Sequence, residues 1–368
     1  MVLVAHVIDP AGGGMAAMNA AYVAALSERF ELTLLANEVD EASAMLAQRV
    51  VHVPTVGSPA ALRFAIFWVA ASLRLRRLRR SGTLVWTTGA ICAGRADLIS
   101  VHLCQAGLVE AYGKRLTAAG LRGPRRLAAA LHRALALAAE RHAFKRCGAL
   151  GAVSGSLAAE LERLYPQVRV LDTPNGADLA SFATLPARRE PNPALVVGFI
   201  GGDWPLRRLD DLLEGVAQAA ARGVDVALLV AGRGDAAWLE ARVEELALAG
   251  RCTYLGEVEG SAGVLSRCDV VAIPSPYETF SLVALEAAAA GRALVGRAVG
   301  VVPELVGERE GGIVVGGEPS SFAEAFAVLA ADPVLLRSMG GEAQRRSGRF
   351  TLPSATMAMG EVLEGLAR

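Results

Sequence analysis

Residues 269–291 read DVVAIPSPYETFSLVALEAAAAG and combine a strand, a loop and a helix. The apolar run from Val270 predicts the strand, the proline-rich segment predicts the loop, and the alanine-rich run ending before Gly291 predicts the helix. Two carboxylates stand eight residues apart, Glu278 in the loop and Glu286 in the apolar helix. An acidic side chain in an apolar run usually has a partner, so both are candidate functional residues.

The same alternation of strand-like and helix-like runs continues from VLVAHVI (2–8) to GIVVGG (312–317). It predicts an α/β fold with parallel sheets, and a chain of 368 residues predicts two domains. Residues 181–194, SFATLPARREPNPA, have the composition of a linker. We therefore expect Rossmann-like domains over 1–180 and 195–349, with a ligand-binding cleft between them.

The composition limits the class of protein. The hydrophobic fraction is 53% with a mean hydropathy of +0.38, yet no stretch of about 18 uncharged apolar residues occurs. The N-terminal run MVLVAHVIDP predicts a first strand and not a signal peptide. The five cysteines are scattered without a C-x-x-C pair, which indicates neither a disulfide framework nor a zinc site. We expect a cytoplasmic, reducing setting.

The charges balance overall, with 37 Lys+Arg and 37 Asp+Glu, but they are unevenly distributed. Residues 60–146 contain 16 basic and 3 acidic residues. This excess indicates either an anionic partner for the N-terminal half or solvated arginine faces on surface helices. Phe64, Phe67 and Trp68 lie among those arginines, so the helix that carries them either lies on an anionic membrane or packs its aromatic rings on the sheet.

Glycine and arginine pairs follow two predicted strands. Gly13 and Gly14 open a helix after the first strand, where backbone N–H groups favour an anion, although a plain tight turn fits equally well. Arg207 and Arg208 stand near a helix start, where the dipole disfavours cations. An anion such as a diphosphate would compensate, and a surface arginine pair is the alternative. His102 ends a strand of the first domain.

The two glutamates fit a ligand with neighbouring hydroxyls. Glu278 would lie at the carboxyl edge of a parallel sheet, and Glu286 about one turn into a helix that Ser281 or a neighbour caps. Helical side chains tilt toward the N-terminus, so Glu286 can point back to the same edge. Two carboxylate oxygens match a vicinal diol of a sugar. For Glu286, a capping or inter-helix contact is the alternative.

These residues resemble the retaining glycosyltransferases of family 4 (group 1), which have the GT-B fold of two Rossmann-like domains facing a central cleft. The resemblance covers about residues 150–330. It rests chiefly on VSGSLAAELERL (153–164), TPNGADLASF (173–182), GFIGGDWPLRRLDDLLEG (198–215), PSPYETF (274–280) and LEAAAAG (285–291). It implies that a helix at about 350–368 returns to the first domain.

The resemblance also implies a role for each candidate residue. Glu278 would contact the donor sugar, Glu286 the ribose of the nucleotide, and Arg207, with Arg208 as the next candidate, the diphosphate. His102 would lie near the sugar and the acceptor. The remaining donor-binding positions would be Gly13, Gly14, Phe280, Ser281 and Leu282. Ser281 replaces the family's usual glycine, and Arg207-Arg208 replaces its usual Lys-Gly.

The resulting expectation is a retaining glycosyltransferase that uses a nucleotide-diphosphate sugar without a metal ion or other cofactor. Two alternatives stay open: a catalytically silent nucleotide-sugar-binding partner protein, and a sugar-nucleotide epimerase of the GT-B type. The acceptor is a small molecule, a glycan or a lipid-linked compound, and peripheral contact with the anionic inner membrane face is a further expectation. We expect no nucleic-acid partner.

Overall fold

Two parallel sheets organise the chain, one in each of two units. The computed structural model describes residues 1–79, 82–113, 123–186 and 194–368. The first unit comprises Met1–Ala177 and Leu352–Arg368, and the second comprises Asp178–Thr351. The strand–helix alternation of the sequence therefore yields an α/β structure in both units.

The first unit contains a seven-stranded parallel sheet in the order β5-β3-β1-β6-β7-β8-β9, and β2 pairs with β4 beside it. Its central strands are buried on both faces, as parallel strands covered by helices usually are. The strands are β1 (Val2–Val4), β2 (Val7–Ile8), β3 (Thr33–Ala36), β4 (Glu38–Val39), β5 (Arg49–His52), β6 (Val85–Thr88), β7 (Leu98–Val101), β8 (Ala149–Ala152) and β9 (Arg169–Asp172).

The second unit contains a six-stranded parallel sheet in the order β12-β11-β10-β13-β14-β15. From β10 the chain adds β11 and β12 on one side of the sheet, and then β13, β14 and β15 on the other side. The parallel neighbours β10 and β13 therefore lie where the strand order reverses. The strands are β10 (Leu195–Ile200), β11 (Val226–Ala231), β12 (Cys252–Tyr254), β13 (Val270–Ile273), β14 (Ala293–Gly296) and β15 (Gly312–Val314).

Helices connect nearly all of these strands. Those of the first half are α1 (Gly14–Leu26), α2 (Glu41–Leu46), α3 (Ala60–Leu78), α4 (Gln105–Tyr112), α5 (Gly123–Phe144), α6 (Gly155–Leu164) and α7 (Ala180–Ala183). Those of the second half are α8 (Trp204–Arg207), α9 (Leu209–Ala221), α10 (Ala236–Glu245), α11 (Ala262–Leu265), α12 (Leu282–Ala289), α13 (Val302–Val306), α14 (Pro319–Ala331), α15 (Pro333–Ser347) and α16 (Leu352–Ala367).

The last helix belongs to the first unit. Met359 and Leu363 of α16 join the apolar core that α1 and the sheet form. Arg29 donates to Glu364 at the surface, with Nε and Oε1 2.8 Å apart. Apolar burial stabilises this contact more than the exposed ion pair does, because an exposed pair contributes at most about 1 kcal/mol.

The segment between the units departs from the expected linker. Residues 180–183 form the short helix α7, and Asp178 accepts a hydrogen bond from the backbone N–H of Ala180 at 3.1 Å. Arg292 and Gln344 donate to the carbonyl groups of Pro186 and Ala183. Proline content indicated a free linker, but these long-range hydrogen bonds attach its first part to the second unit. Residues 187–193 lie outside the described residues.

Within the described residues, no single helix is long and apolar enough to cross a bilayer. The consecutive helical segments Pro319–Ala331 and Pro333–Phe350 reach the necessary length and apolar character only when they are taken together, and the chain bends by 107° between them.

A buried carboxylate in α5 fixes the start of α4. The side chain of Glu140 is 1% exposed and accepts hydrogen bonds from the backbone N–H groups of Gln105 and Ala106 and from the hydroxyl of Tyr165. Burial raises the pKa of this carboxyl. Because α4 begins three residues after His102, Glu140 holds the segment that carries this histidine.

Replacing Glu140 should destabilise the first unit strongly. Glu140→Ala strands two buried N–H donors and a hydroxyl, so we expect the free energy of unfolding to fall by about 3 kcal/mol. Tyr165→Phe removes one partner only and should cost about 1 kcal/mol. Urea denaturation of both variants measures the difference, and equal losses would show that the carboxylate does not hold the helix start.

Candidate functional site

An ion pair joins the ends of the two central strands of the second unit. Arg207 lies in the segment after β10 and donates through Nη1 to Oε1 of Glu278, which follows β13. The Glu278 side chain is 15% exposed and that of Arg207 is 37% exposed. Strands β10 and β13 are parallel neighbours, so their carboxyl ends meet at one edge. The structure therefore brings together two of the residues that the sequence nominated.

A glycine makes room for the Arg207 side chain. A Cβ atom on Gly201 would lie 2.8 Å from Cδ of Arg207, closer than packing permits. Gly201 directly follows β10 with a φ of 156°, and its carbonyl accepts a hydrogen bond from Trp204 Nε1 at 3.0 Å. The guanidinium consequently lies close against the backbone at the end of the strand.

Arg208 is engaged differently from Arg207. Its Nε and Nη2 donate to the two carboxylate oxygens of Asp211, at 2.6 and 2.5 Å. This fork-to-fork pair within one turn supplies the negative charge that the helix start requires. The sequence led us to expect a negative charge near both arginines. The protein supplies this charge itself, because Glu278 pairs with Arg207 and Asp211 pairs with Arg208. The role of Arg208 toward a diphosphate stays a prediction.

The loop after Glu278 turns through a residue with a left-handed backbone. Ser281 has a φ of 76° and stands at the N-cap of α12, but its side chain makes no capping hydrogen bond. Of the two expectations, a cap from Ser281 or from a neighbour, the structure excludes a side-chain cap from Ser281. Gly300 approaches the same loop, where a Cβ would lie 2.3 Å from the Phe280 carbonyl oxygen.

Phe280 and Leu282 flank this turn. The Phe280 ring is 4% exposed, and its centroid lies 5.9 Å from that of Phe350. Its carbonyl accepts a hydrogen bond from the N–H of Val301 at 2.7 Å. Leu282, half-buried, begins α12. The Phe280 side chain is therefore part of the core, and the donor-binding roles of Phe280 and Leu282 stay predictions.

Glu286 is the fifth residue of α12 and is half-buried. Its Oε2 accepts a hydrogen bond from Ser261 Oγ at 2.5 Å, and burial raises the pKa of the carboxyl. Ser261 follows β12 and is 5% exposed. Sequence reasoning missed Ser261, because nothing local links a serine in a loop to a glutamate 25 residues later.

The glycines of the first unit stand at the start of α1. Gly13 is the N-cap of α1 with a φ of −62°, and Gly14 is the first helical residue; both are exposed. Asp9 organises the preceding turn, since its carboxylate accepts from the N–H of Ala11 at 2.9 Å. The first-turn N–H groups are directed along the helix axis toward the loop, as an anion site requires.

His102 follows β7 of the first unit. Its Nδ1 lies 3.5 Å from Nδ2 of Asn175, and burial lowers the pKa of the imidazole to about 4. The ring is therefore neutral at pH 7. Asn175 belongs to the TPNG segment. An asparagine in such a turn motif is the sequence signal that could have identified Asn175 as a candidate site residue. The role of His102 toward a sugar or an acceptor stays a prediction.

The aromatic rings of α3 contact neighbouring residues of the first unit. Phe67 is fully buried and its ring lies 3.9 Å from that of His6. The rings of Phe64 and Trp68 contact His132 and His142 of α5, with centroids 5.7 and 6.1 Å apart. Two of the three rings thus pack on a helix, where packing on the sheet was the expectation, and contact of α3 with an anionic membrane stays a prediction. Arg80 of the same basic stretch lies outside the described residues.

Across the described ranges, no three His, Cys, Asp or Glu side chains are arranged so that they could hold a metal ion. Metal-independent chemistry stays a prediction.

The left-handed backbone of Ser281 has a measurable cost. A non-glycine residue in this region is destabilised by about 1–2 kcal/mol, and a β-branched residue more. We expect Ser281→Gly to raise the free energy of unfolding by about 0.5 kcal/mol and Ser281→Val to lower it by at least 1 kcal/mol. Urea denaturation tests both, and a loss of stability in Ser281→Gly would contradict this explanation.

Two buried histidines should make the fold acid-sensitive. Burial lowers the pKa of His6 and of His102 to about 4, from 6.5. Between pH 6.5 and 4 the unfolded chain therefore binds protons that the folded chain does not, so stability is complete above pH 6.5 and falls as the pH drops. By pH 5 each histidine should cost on the order of 1–2 kcal/mol.

Urea denaturation at pH 7.5 and pH 5 measures this loss. His6→Gln should show a smaller loss than the wild type between the two pH values, because glutamine does not titrate. His52 is exposed, and His52→Gln is the control variant. The same loss in His6→Gln and in the control would contradict the lowered pKa.

Comparisons with known proteins show which family, which curated proteins and which solved structures the chain resembles. Residues 194–332 match the family described as "Glycosyl transferases group 1". Over 211 residues the chain is 36% identical to the D-inositol 3-phosphate glycosyltransferase of Stackebrandtia nassauensis, covering 52% of this chain and 47% of that protein. The match thus spans about half the length of this curated relative.

Solved structures resemble the whole chain. Sucrose-phosphate synthase (tll1590) from Thermosynechococcus elongatus superposes with a TM-score of 0.72 at 19% identity, over 99% of this chain and 98% of that one. Anabaena Alr3699/HepE, solved in complex with UDP and glucose, superposes with a TM-score of 0.62 at 17% identity, over 99% and 98%. The protein therefore has the GT-B fold of these glycosyltransferases, and its residues 194–332 match the family model of the group 1 glycosyltransferases.

Proposed function

We propose that the protein is a retaining glycosyltransferase that moves a sugar from a nucleotide-diphosphate sugar to an acceptor hydroxyl without a metal ion. The observation that carries the proposal is the pairing of Arg207 with Glu278 at one sheet edge, with Glu286 bound to Ser261 in the helix that follows, in the part of the chain that matches the group 1 glycosyltransferases. This edge is where open parallel sheets bind ligands.

Glu286 is suited to bind the ribose. Its carboxylate is half-buried and already accepts the Ser261 hydroxyl, which fixes its orientation. A ribose diol would donate further hydrogen bonds to the same carboxylate, and each such bond favours the ionised form over the protonated one. Donor binding would thus offset the burial that raises the Glu286 pKa.

Arg207 is suited to bind the diphosphate as it leaves. The bond from the sugar to the phosphate breaks with negative charge accumulating on the phosphate, and a guanidinium in place stabilises that charge. In the unliganded protein the Arg207 charge is balanced by Glu278. When the donor binds, the diphosphate shares the guanidinium, which leaves Glu278 free to accept hydrogen bonds from sugar hydroxyls.

Retention without a protein nucleophile requires attack from the side on which the leaving group departs. The leaving phosphate then accepts the proton of the acceptor hydroxyl, so no carboxylate need act as a base. His102 is neutral, and it would contribute hydrogen bonds without adding charge. Closure around the substrates would exclude water, the competing acceptor.

The substrates to test first come from the comparisons. HepE was solved with UDP and glucose, so UDP-glucose is the first donor. The curated relative is named for D-inositol 3-phosphate, so that compound is the first acceptor. We also propose a cytoplasmic setting.

A catalytically silent nucleotide-sugar-binding protein is the second candidate. The observations that favour it are the neutralised Arg208 and the serine at position 281. Arginine keeps the charge of lysine but differs in reach and geometry. Tight nucleotide binding without transfer or hydrolysis, across a broad set of acceptors, would assign the protein to this class.

Nucleotide binding and turnover test the proposal through two variants. We expect Glu286→Ala to weaken UDP binding more than tenfold, because it removes the acceptors for the ribose diol. Arg207→Ala should lower kcat by about a hundredfold, because it removes a group that stabilises the transition state. Calorimetry with UDP, GDP and ADP gives the first value, and nucleotide release gives the second.

The matched control is Glu240→Ala, an exposed glutamate on α10 whose loss should change neither quantity. Wild-type affinity in Glu286→Ala would remove Glu286 from the donor site. Wild-type turnover in Arg207→Ala would remove Arg207 from the chemistry. No binding of any of the nucleotides by the wild-type protein would end the glycosyltransferase proposal.

A further inference from the structure

A groove of about 460 Å³ lies in the first unit, between α4, α5 and the end of α6. Its walls are side chains of α4 and α5 together with side chains from residues 164–167. None of these residues belongs to the candidate donor site. The volume of the groove is in the range of sites that hold a small molecule.

Two cations stand together on one side of this groove. Arg141 lies in the last turn of α5, and Lys145 directly follows that helix. They are four residues apart, a spacing that places two side chains on the same helix face. Both are exposed, and neither forms a hydrogen bond or an ion pair with a residue that the structure describes. Two such groups can hold one phosphate through charge-assisted hydrogen bonds.

The acidic residues of the basic stretch are engaged elsewhere. Residues 60–146 contain only three of them. Asp97 accepts a backbone hydrogen bond, and Glu140 is buried against the start of α4. Glu110 lines the groove, but its carboxylate pairs with Arg163. None of these three carboxylates therefore neutralises the two cations, and the groove favours an anionic ligand.

The wall beside the cations is apolar and held in place. Val109, Leu137 and Leu164 line the groove and are half-buried. Tyr165, which also lines it, is 4% exposed, and its hydroxyl donates to Glu140 at 2.8 Å. A ring or a short hydrocarbon in the groove would bury apolar area against these side chains.

The end of α5 offers another explanation for the cations. The last carbonyl groups of a helix carry a partial negative charge that favours basic residues nearby. That interaction accounts for a basic side chain in the last turn, but it does not account for the apolar wall beside it. The two explanations differ in their consequences, because a helix-end role changes stability only, whereas a ligand site binds an anion.

We infer that this groove is a second ligand site, which binds a small organic phosphate. The phosphate contacts Arg141 and Lys145, and the apolar part of the ligand packs on Val109, Leu137 and Leu164. The inference does not depend on the proposed function, since no residue of the candidate donor site takes part. It gives part of the basic excess of the first unit an anionic partner.

Calorimetry on the full chain tests this site with phenyl phosphate, inorganic phosphate and phenol. Phenyl phosphate should bind at least tenfold more tightly than either of the others, because it alone meets both the cations and the apolar wall. Arg141→Gln and Lys145→Gln should each weaken phenyl phosphate binding at least fivefold. Val109→Thr, which keeps nearly the same shape, should also weaken it through the loss of apolar contact.

The matched control is Arg146→Gln, an exposed arginine next to Lys145 that does not line the groove. It removes the same charge from the same segment and should bind as the wild type does. Equal affinity in Arg141→Gln and in the control would overturn the inference, as would inorganic phosphate binding as tightly as phenyl phosphate. A loss of stability in urea without a loss of binding would leave only the helix-end role.

UDP separates the groove from the candidate donor site. Saturating UDP should leave the affinity for phenyl phosphate unchanged. Displacement by UDP that is lost in Arg207→Ala would assign the phosphate to the donor site and overturn the inference. Binding of phenyl phosphate that depends on Arg141, in a protein that binds no nucleotide, would retain the groove as a site and reject the transferase.

The organic phosphate can be a free metabolite or a lipid headgroup, and vesicles separate these sources. Co-sedimentation with phosphatidic acid vesicles that requires Arg141 and that phenyl phosphate displaces would support the groove and assign the headgroup. Equal co-sedimentation of Arg141→Gln and Arg146→Gln, with no binding of phenyl phosphate, would overturn the inference.

Discussion

The ion pair between Arg207 and Glu278 is the interaction on which the candidate donor site depends. It joins the segments that follow β10 and β13, the two central strands of the second sheet. Gly201 lacks the Cβ that would exclude the guanidinium. Glu278 lies in the loop that leads to α12, the backbone of that loop is left-handed at Ser281, and Glu286 of α12 accepts the Ser261 hydroxyl.

The charges of this edge are balanced before any ligand arrives. Glu278 offsets Arg207 and Asp211 offsets Arg208, so neither guanidinium lacks a counter-charge in a partly buried setting. An unbalanced buried charge would be costly, and the internal pairs avoid that cost. A diphosphate would therefore exchange partners with Arg207, whose side chain stays 37% exposed.

The sequence predicted the classes of element well, because strand and helix periodicities are local properties. The α/β architecture, the strand before Glu278 and the helix that carries Glu286 follow from such patterns. The pairing of Arg207 with Glu278, 71 residues apart, could not be predicted, because periodicity does not specify which cation meets which acid. The link from Ser261 to Glu286 was missed for the same reason.

Other differences between the sequence-based expectations and the structure have local causes, which can be recognised in the sequence once the structure is known. Asp211 lies three residues after Arg208, a spacing that brings two side chains together on a helix. Ser281 was expected to cap α12, but the backbone there turns left-handed and its hydroxyl makes no capping bond. The aromatic residues of α3 were compatible with two environments, and the structure shows their contacts with α5 and His6.

A crystal structure of the protein with UDP-glucose would test the central claim most directly. The account predicts that Glu286 accepts hydrogen bonds from both ribose hydroxyls, that Arg207 contacts the diphosphate, and that Glu278 faces the glucose. A nucleotide bound away from the carboxyl edge of the second sheet, or one that leaves the Arg207–Glu278 pair intact with no phosphate contact, would contradict it.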